Sequence, residues 1–274
     1  MQTRVGFIGL GQIGKPMAIN VAKRGFDLMV YDLQEEPLKE LAAAGAKVAS
    51  SPGEVAGHSE IVEIAVRDGI QMESLVLGES AVLESMNPGS IIAIHSTIHP
   101  KMVKKIGAAA KVRHVDVIDA AISGGESGAR DARLAYMVGG DKQSVEKCRA
   151  VLSASGENIF HVGELGKGLA AKLCHQLILC INMISAYEGM TLGKQAGVDA
   201  QILRDIVHRG SAQSAVMDNW QRYDRSNYDT IPQGFPLFYK DLSVALEFAH
   251  DLGLSLPGAG VVQQLINPAL GLEK

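Results

Sequence analysis

The sequence predicts an α/β protein in which a doubly wound parallel sheet is followed by an all-α C-terminal domain, with a long helix joining the two. Three observations support this prediction. Short apolar runs alternate with helical stretches up to about residue 162, which is typical of a parallel sheet covered by helices. A glycine-rich turn directly follows the first apolar run, and the strand signals fade after residues 162–168.

The individual elements follow from the same patterns. Two stretches, PMAINVAKRG and EPLKELAAAG, have helical character. Five apolar runs read as strands, namely RVGFIGL, FDLMVYD, EIVEIAV, SIIAIHS and HVDVIDA. The loss of strand signals after VGELGKG predicts two domains, residues 1–163 and residues 164–274, and both lengths are ordinary for globular domains.

The joining helix is expected to start after Gly168 and to continue to about Lys194, a length of ~40 Å at ~1.5 Å per residue. Most of its circumference is apolar, so it should be buried on several sides, and we expect a homodimer or homotetramer. Four polar residues, Lys172, His175, Gln176 and Asn182, argue against a membrane span. Residues 218–234 are expected to hold a helix end and a loop.

Composition limits the kinds of partner. The chain has 274 residues, of which 47% are hydrophobic and 20% charged, and its net charge is -4. This is the profile of a globular protein. Mild acidity and the lack of a lysine or arginine cluster argue against nucleic acid and membrane surfaces as partners. We therefore expect a small-molecule ligand or a second copy of the chain.

The N-terminus predicts a cytoplasmic location, and the cysteines argue against a disulfide framework and a zinc site. The opening MQTRVGFIGLGQIG lacks the charged region, long apolar stretch and cleavage site of a secretory signal. The three cysteines, Cys148, Cys174 and Cys180, form no CxxC pair. An odd number without such pairs favours core packing over a disulfide framework or a zinc site, so no metal is expected.

The glycine-rich turn predicts a dinucleotide site of the Rossmann type. Gly9, Gly11 and Gly14 have GxGxxG spacing after a strand and at the start of a helix. The first glycine permits a tight turn, the second lets a pyrophosphate approach the backbone, and the third allows close packing of helix and strand. Gln12 and Ile13 complete the expected cofactor loop. A glycine turn without a ligand is the alternative interpretation.

Asp32 indicates which dinucleotide is bound. It ends the second predicted strand, eighteen residues after Gly14, where an acidic side chain accepts hydrogen bonds from the adenosine ribose and repels a 2'-phosphate. No arginine follows in DLQEEP. The sequence therefore predicts NAD rather than NADP.

Five motifs in order resemble those of the β-hydroxyacid dehydrogenase family, which includes 3-hydroxyisobutyrate dehydrogenase. The resemblance extends over nearly the whole chain, through GFIGLGQIGKPMAINVAKRG, HSTIHP, DAAISGGESGA, GKGLAAK and GFPLFYKDL. It implies an NAD-dependent enzyme that interconverts a small β-hydroxyacid and its semialdehyde. In this family pattern Lys172 is the acid/base, the substrate carboxylate is held by Ser123, Gly124 and Gly125, and the nicotinamide side is lined by Thr97 and Lys240.

The chemistry of such a reaction suits a lysine in apolar surroundings. Hydride transfer from a carbinol carbon requires the hydroxyl proton to be removed, and the reverse reaction requires its return. A free lysine, with a pKa of ~10.4, is a poor base near neutrality, but a partly desolvated site beside cationic NAD would lower that pKa. The alternative for Lys172 is a packed stem with its ammonium group in solvent.

The chain departs from the family pattern at two points. The family usually has two asparagines at the third and fourth positions after the lysine, where this chain has His175 and Gln176. We expect Gln176 to hydrogen-bond the substrate or Lys172 while narrowing the pocket, and His175 either to pack behind the site or to contact substrate. Ala132 and Arg133 replace a usual Gly-Thr, and Arg133 is either a surface charge or an extra cation near the carboxylate.

These departures leave two alternative functions open. One is an imine or sugar-acid reductase that shares the two-domain plan. The other is a non-catalytic NAD-binding module that serves as a sensor or an interaction partner. Hydroxyacid-dependent formation of NADH would exclude this second alternative.

Overall fold

The structure is a computed structural model that describes residues 2–78, 82–224 and 235–269. Its strands are β1 (Arg4–Ile8), β2 (Asp27–Tyr31), β3 (Lys47–Val48), β4 (Ile61–Ile64), β5 (Ile91–Ile94), β6 (Asp116–Ser123), β7 (Ala135–Gly139) and β8 (Asn158–Gly163). Its helices are α1 (Gly14–Lys23), α2 (Glu35–Ala43), α3 (Pro52–His58), α4 (Gly69–Leu77), α5 (Val82–Ser85), α6 (Pro100–Val112), α7 (Gly125–Arg130), α8 (Lys142–Leu152), α9 (Lys167–Gln195), α10 (Ala200–Arg209), α11 (Ala215–Asp218), α12 (Trp220–Tyr223), α13 (Phe235–Asp251) and α14 (Pro257–Ala269).

The eight strands form one sheet in the order β3-β2-β1-β4-β5-β6-β7-β8. The predicted α/β class is confirmed, and the strands from β3 to β6 are parallel. At the far edge the sheet is mixed, because β7 runs antiparallel to β6, and β8 is parallel to β7. The β6–β7 connection, residues 124–134, is shorter than the dozen or more residues that a parallel crossover needs.

Both faces of the sheet are covered, which explains the continuous apolar runs of the central strands. Successive residues of β5 show this most clearly. Ile91 and Ala93 belong to a core cluster on one face of the sheet, with residues of α1 and α8. Ile92 and Ile94 belong to the cluster on the other face, with residues of α3, α4 and α6. The loops that follow the carboxyl ends of the parallel strands lie at the edge of the sheet.

The chain divides into two compact units, residues 1–172 and residues 173–274. The division lies inside α9, whereas the composition predicts a boundary before that helix. In the described part of the second unit all regular elements are helices. Their core contains Cys180, Met183, Trp220, Leu242 and Ile266. Residues 225–234, which include most of the predicted loop, lie outside the described residues.

Helix α9 extends over 29 residues, close to its predicted span. By length and composition alone, α9 qualifies as a candidate membrane span. The four polar residues named above are therefore not enough to exclude a span. A core helix passes the same test, and Cys180, Met183, Ile184 and Ala186 of α9 are buried in the second unit. The expectation of no membrane partner stays a prediction.

Candidate active site

The glycine-rich loop between β1 and α1 is too tightly packed for side chains at two positions. Gly9 has φ +93°, and a Cβ atom there would lie 2.5 Å from the Ala65 carbonyl oxygen. A Cβ atom at Gly14 would lie 1.9 Å from the carbonyl oxygen of Gly9. Real Cβ atoms do not approach backbone oxygens so closely, so both positions require glycine. The loop is thereby held against the end of β4.

The middle of the same loop is open. A Cβ atom at Gly11 would meet no described atom within 4 Å. Helix α1 begins after Ile13, which provides no side-chain cap, and the first N–H groups of a helix lack partners within the helix. An open approach to an uncapped helix start suits the pyrophosphate of NAD. The loop around Gln12 therefore fits the predicted cofactor.

Asp32 lies just beyond β2, beside this loop. Its Oδ2 atom accepts a hydrogen bond of 2.5 Å from the Leu10 N–H, and its Oδ1 atom accepts one of 2.8 Å from the Gln34 N–H. The carboxylate thus joins the end of β2 to the glycine-rich loop. A negative charge held here suits the ribose hydroxyl groups of NAD and opposes a 2'-phosphate.

The segments predicted to contact substrate and nicotinamide follow two neighbouring parallel strands. Thr97 lies in the loop between β5 and α6. Ser123 ends β6, while Gly124 and Gly125 lead into α7. Because β5 and β6 are parallel neighbours, both segments emerge at the same edge of the sheet as the glycine-rich loop. Ligands of open α/β sheets bind at this edge.

Hydrogen bonds connect α7 directly to the cofactor loop and to α1. Gln12 Nε2 donates to Glu126 Oε2 over 2.7 Å, and the buried Asn20 Nδ2 donates to the Ala129 carbonyl over 2.7 Å. The predicted cofactor loop and the predicted carboxylate-binding segment are therefore adjacent within the first unit. This contact of Glu126 was not predicted, although a carboxylate directly after Gly124 and Gly125 is visible in the sequence.

Lys172 lies in the second turn of α9 and is 7% exposed. Such burial leaves little of the side chain in contact with solvent, which is unfavourable for the alternative of an ammonium group in bulk water. It is the environment that the acid/base hypothesis requires. A buried charged amine is costly, whereas a neutral amine is much less so.

In the second unit, two hydrogen bonds and one ion pair link His175, Gln176, Asp241 and Lys240. Gln176, which is 5% exposed, donates from Nε2 to Asp241 Oδ2 over 2.7 Å. Asp241 Oδ1 lies 2.7 Å from the Lys240 ammonium nitrogen. His175 Nδ1 lies 3.1 Å from Gln176 Oε1, and because that oxygen only accepts, His175 Nδ1 carries the proton. Asp241, which directly follows Lys240 in the sequence, thus links Lys240 to Gln176.

The other departure from the family pattern, Ala132 and Arg133, lies on the surface and in a turn. The Arg133 side chain is 68% exposed and pairs with Asp131 at 2.8 Å, as expected for a surface charge. Ala132 has φ +55°, a left-handed conformation that favours glycine. The glycine that is usual in the family thus suits the backbone at this position better than the alanine found here.

The fold and these geometries define a dinucleotide-binding α/β oxidoreductase. Residues 4–163 match the family model of the NAD binding domain of 6-phosphogluconate dehydrogenase. Residues 166–272 match a second family model, which is described as NAD-binding of NADP-dependent 3-hydroxyisobutyrate dehydrogenase. The chain is an NAD-dependent enzyme.

Individual relatives narrow the class. The NAD-dependent L-serine dehydrogenase of Pseudomonas aeruginosa is 36% identical over 258 residues, covering 93% of this chain and 85% of the relative. A probable mitochondrial 3-hydroxyisobutyrate dehydrogenase of Dictyostelium discoideum is 33% identical over 256 residues, covering 91% and 80%. The structure of Mycobacterium tuberculosis 3-hydroxyisobutyrate dehydrogenase with L-serine superposes with a TM-score of 0.88 at 27% identity, covering 98% and 94%. The chain belongs to the β-hydroxyacid dehydrogenase family.

Proposed function

We propose that the protein interconverts a short β-hydroxyacid and its semialdehyde, with Lys172 transferring the hydroxyl proton. The observation that carries this proposal is the burial of Lys172 near the start of α9. Bound NAD supplies the hydride acceptor in the oxidation, and its reduced form supplies the hydride in reverse. The remaining chemistry is proton transfer and orientation, which the side chains provide.

Lys172 would act at a single atom. Its neutral Nζ takes the proton from the substrate hydroxyl as the carbonyl forms, and the ammonium form returns that proton during reduction. Desolvation penalises a charged amine, so a buried lysine exchanges its proton near neutral pH more readily than an exposed one.

The carboxylate of the substrate would be held by the end of β6. The Ser123 hydroxyl and the N–H groups of Gly124 and Gly125 are suitable donors for an anion. Their attachment to the cofactor loop through Gln12 and Glu126 supports a common site for substrate and NAD. We propose further that Thr97 and Lys240 contact the nicotinamide side, and that Gln176 and His175 shape the substrate end.

The substrate class follows from chemistry shared by the relatives. L-Serine and 3-hydroxyisobutyrate both carry a hydroxymethyl group next to the α-carbon that bears the carboxylate, and they differ in an α-ammonium or an α-methyl group. We propose a substrate of this shape. The runner-up is an imine or sugar-acid reductase, which the replacement of the usual Asn-Asn pair by His175 and Gln176 favours.

The test is a substrate panel combined with a lysine variant. We expect NADH absorbance to grow with L-serine or 3-hydroxyisobutyrate. Lys172→Ala should lower kcat by ~10²–10⁴-fold while the Kd for NAD stays unchanged in a calorimetric titration. Lys172→Arg is the matched control, because it keeps the charge but does not release a proton; it should be as inactive as Lys172→Ala.

Three outcomes decide between the functions. Near-normal turnover by Lys172→Ala would refute the role of the lysine. NADH consumption with cyclic imines or sugar-acid aldehydes, without turnover of short β-hydroxyacids, would establish the runner-up. NAD binding without turnover of any substrate would leave the non-catalytic module.

The assembly and the location remain proposals of their own. Exposed apolar side chains on α9, Ile178 and Leu192 among them, support a homodimer or homotetramer, because such side chains commonly mark an interface. Light scattering coupled to size exclusion would measure the mass, and a monomer would contradict this expectation. We also propose a cytoplasmic location, which fractionation of cells would check.

A further inference from the structure

The first turn of α9 is fastened to the sheet by one buried carboxylate. Asp119 lies on β6 and is completely buried. Its Oδ1 atom accepts the Gly166 N–H over 2.7 Å, and its Oδ2 atom accepts the Leu169 N–H over 2.6 Å. Both oxygens of the carboxylate are thus used by backbone N–H groups at the start of the helix, and charge-assisted bonds of this kind are the strong ones.

The same turn is also fixed sterically. A Cβ atom at Gly168 would lie 2.4 Å from the Met137 carbonyl oxygen and 2.8 Å from Asp119 Oδ2. A Cβ atom at Gly139, on the neighbouring strand β7, would lie 2.8 Å from the Gly168 nitrogen. The helix start therefore lies in close contact with both β6 and β7.

A carboxylate is an expensive choice for this contact. Burial raises the pKa of the Asp119 carboxyl, while the N–H groups of Gly166, Leu169 and Gly168 act in the opposite direction. Serine, threonine or asparagine can also cap a helix, at a lower desolvation cost. None of these provides two anionic oxygens that hold two N–H groups of the same turn simultaneously.

Strand β6 ends at Ser123 and, through Asp119, also contacts the helix that carries Lys172. Ser123 lies four residues after Asp119 on the strand, at its carboxyl end. Lys172 lies three residues after Leu169 on α9, which is less than one helical turn. A displacement of the first turn of α9 relative to β6 therefore moves Lys172 relative to Ser123.

We propose that Asp119 is the positioning residue for Lys172: its carboxylate fixes the first turn of α9 on the strand that ends at Ser123, and so sets where the lysine meets the substrate hydroxyl. This inference rests on the proposed function of Lys172. Asp119 itself touches neither substrate nor NAD in this scheme.

The decisive variant is Asp119→Asn, which keeps the size but turns one of the two acceptors into an N–H donor facing the helix. A misplacement of ~1 Å can cost ~100-fold in rate, so we expect kcat to fall ~10–100-fold. KM for the hydroxyacid and Kd for NAD should change less than ~3-fold. The control is Asp116→Asn on the same strand, whose carboxylate bonds the Ser144 hydroxyl; it should turn over normally.

A double variant separates positioning from general loss of structure. If Asp119 acts through Lys172, adding Asp119→Asn to Lys172→Ala should leave the residual rate unchanged, because effects that pass through one group are not additive. A further loss by the same factor as in the wild type would overturn the proposal, as would a normal kcat for Asp119→Asn alone.

Two further outcomes keep the proposals distinct. If Lys172→Ala is active, the proposed function fails whatever Asp119→Asn does; if Lys172→Ala is inactive and Asp119→Asn is normal, only the positioning role fails. If Asp119→Asn does not bind NAD, we take it to be misfolded and test Gly168→Ala in its place. That variant displaces the same turn while keeping the carboxylate, and a kcat equal to the wild type would again overturn the proposal.

Discussion

The two units present their candidate contacts in different ways. In residues 1–172 the glycine-rich loop offers backbone groups, and carboxylates such as Asp32 tie that backbone together. In residues 173–274 the candidate contacts are side chains linked in series, from Lys240 through Asp241 to Gln176. A site built from backbone groups requires positions without side chains. A site built from linked side chains changes its contacts whenever one of those residues is substituted. The glycine-rich loop of the first unit therefore tolerates few substitutions, whereas the candidate contacts of the second unit depend on the identity of each side chain.

The largest expected effect tests the backbone side of this comparison. Gly14→Ala would put a Cβ atom 1.9 Å from the Gly9 carbonyl oxygen. Relieving that overlap should cost about 3 kcal/mol of unfolding free energy and abolish NAD binding. Gly11→Ala is the matched control for folding, because its Cβ atom meets no described atom within 4 Å; its Tm should be unchanged while its Kd for NAD rises. Equal melting of Gly14→Ala and wild type would refute the close packing.

The next effect tests the side-chain series. Asp241→Asn removes the charge that faces Lys240 and replaces one acceptor by an amide, so we expect a loss of about 1–3 kcal/mol in urea unfolding. Asp218→Asn provides the comparison, because Asp218 pairs with His208 on the surface; exposed pairs contribute about 0–1 kcal/mol. Equal losses from the two variants would show that the series is no more important than a surface pair.

Gln176→Asn should change specificity rather than stability. Removal of one methylene shortens the reach to Asp241 and enlarges the space beside the substrate, and one methylene changes discrimination by about 10-fold or more. We expect the ratio of kcat/KM between short and long hydroxyacids to shift while the Kd for NAD does not. An unchanged preference across the panel would contradict a pocket-shaping role. His175→Asn, measured in the same panel, would show whether the neighbouring histidine contacts substrate.

The smallest expected effect is on stability, at Ala132, where the family usually has glycine. Ala132 has φ +55°, and a non-glycine residue in that region costs about 1 kcal/mol. Ala132→Gly should therefore raise the unfolding free energy by about 1 kcal/mol. Ala108→Gly, on an exposed position inside α6, should lower it by about 0.5–1 kcal/mol. A lower Tm for Ala132→Gly would show that the strain is absent.

Local patterns were sufficient for much of the first unit. Apolar runs identify β1, β2, β4, β5 and β6, and the glycine spacing identifies the tight turn because its requirements are local. The two-residue β3 and the largely exposed β8 have no such signal. The reversal at β7 depends on a pairing across the sheet, which no window of the sequence contains.

Contacts of the candidate site between residues close in the sequence could be predicted, whereas those between distant residues could not. Lys172 and Gln176 share a helix, so their spacing was visible in the sequence. The bond from Gln176 to Asp241 spans 65 residues and the bond from Leu169 to Asp119 spans 50. Contacts at such separations are set by the packing of whole elements, and neither residue type reveals its partner.

The uncapped beginning of α1 also affects how the protein should be handled. Without a ligand, the N–H groups at the start of a helix that have no partner in the protein can bond only to water. A ligand that binds only the native state raises the free energy of unfolding by mass action, by about 2.7 kcal/mol at a ligand concentration of a hundred times Kd. Coenzyme in the purification buffer should therefore protect the chain against proteolysis and ageing, and preparations stripped of it should be the first to aggregate.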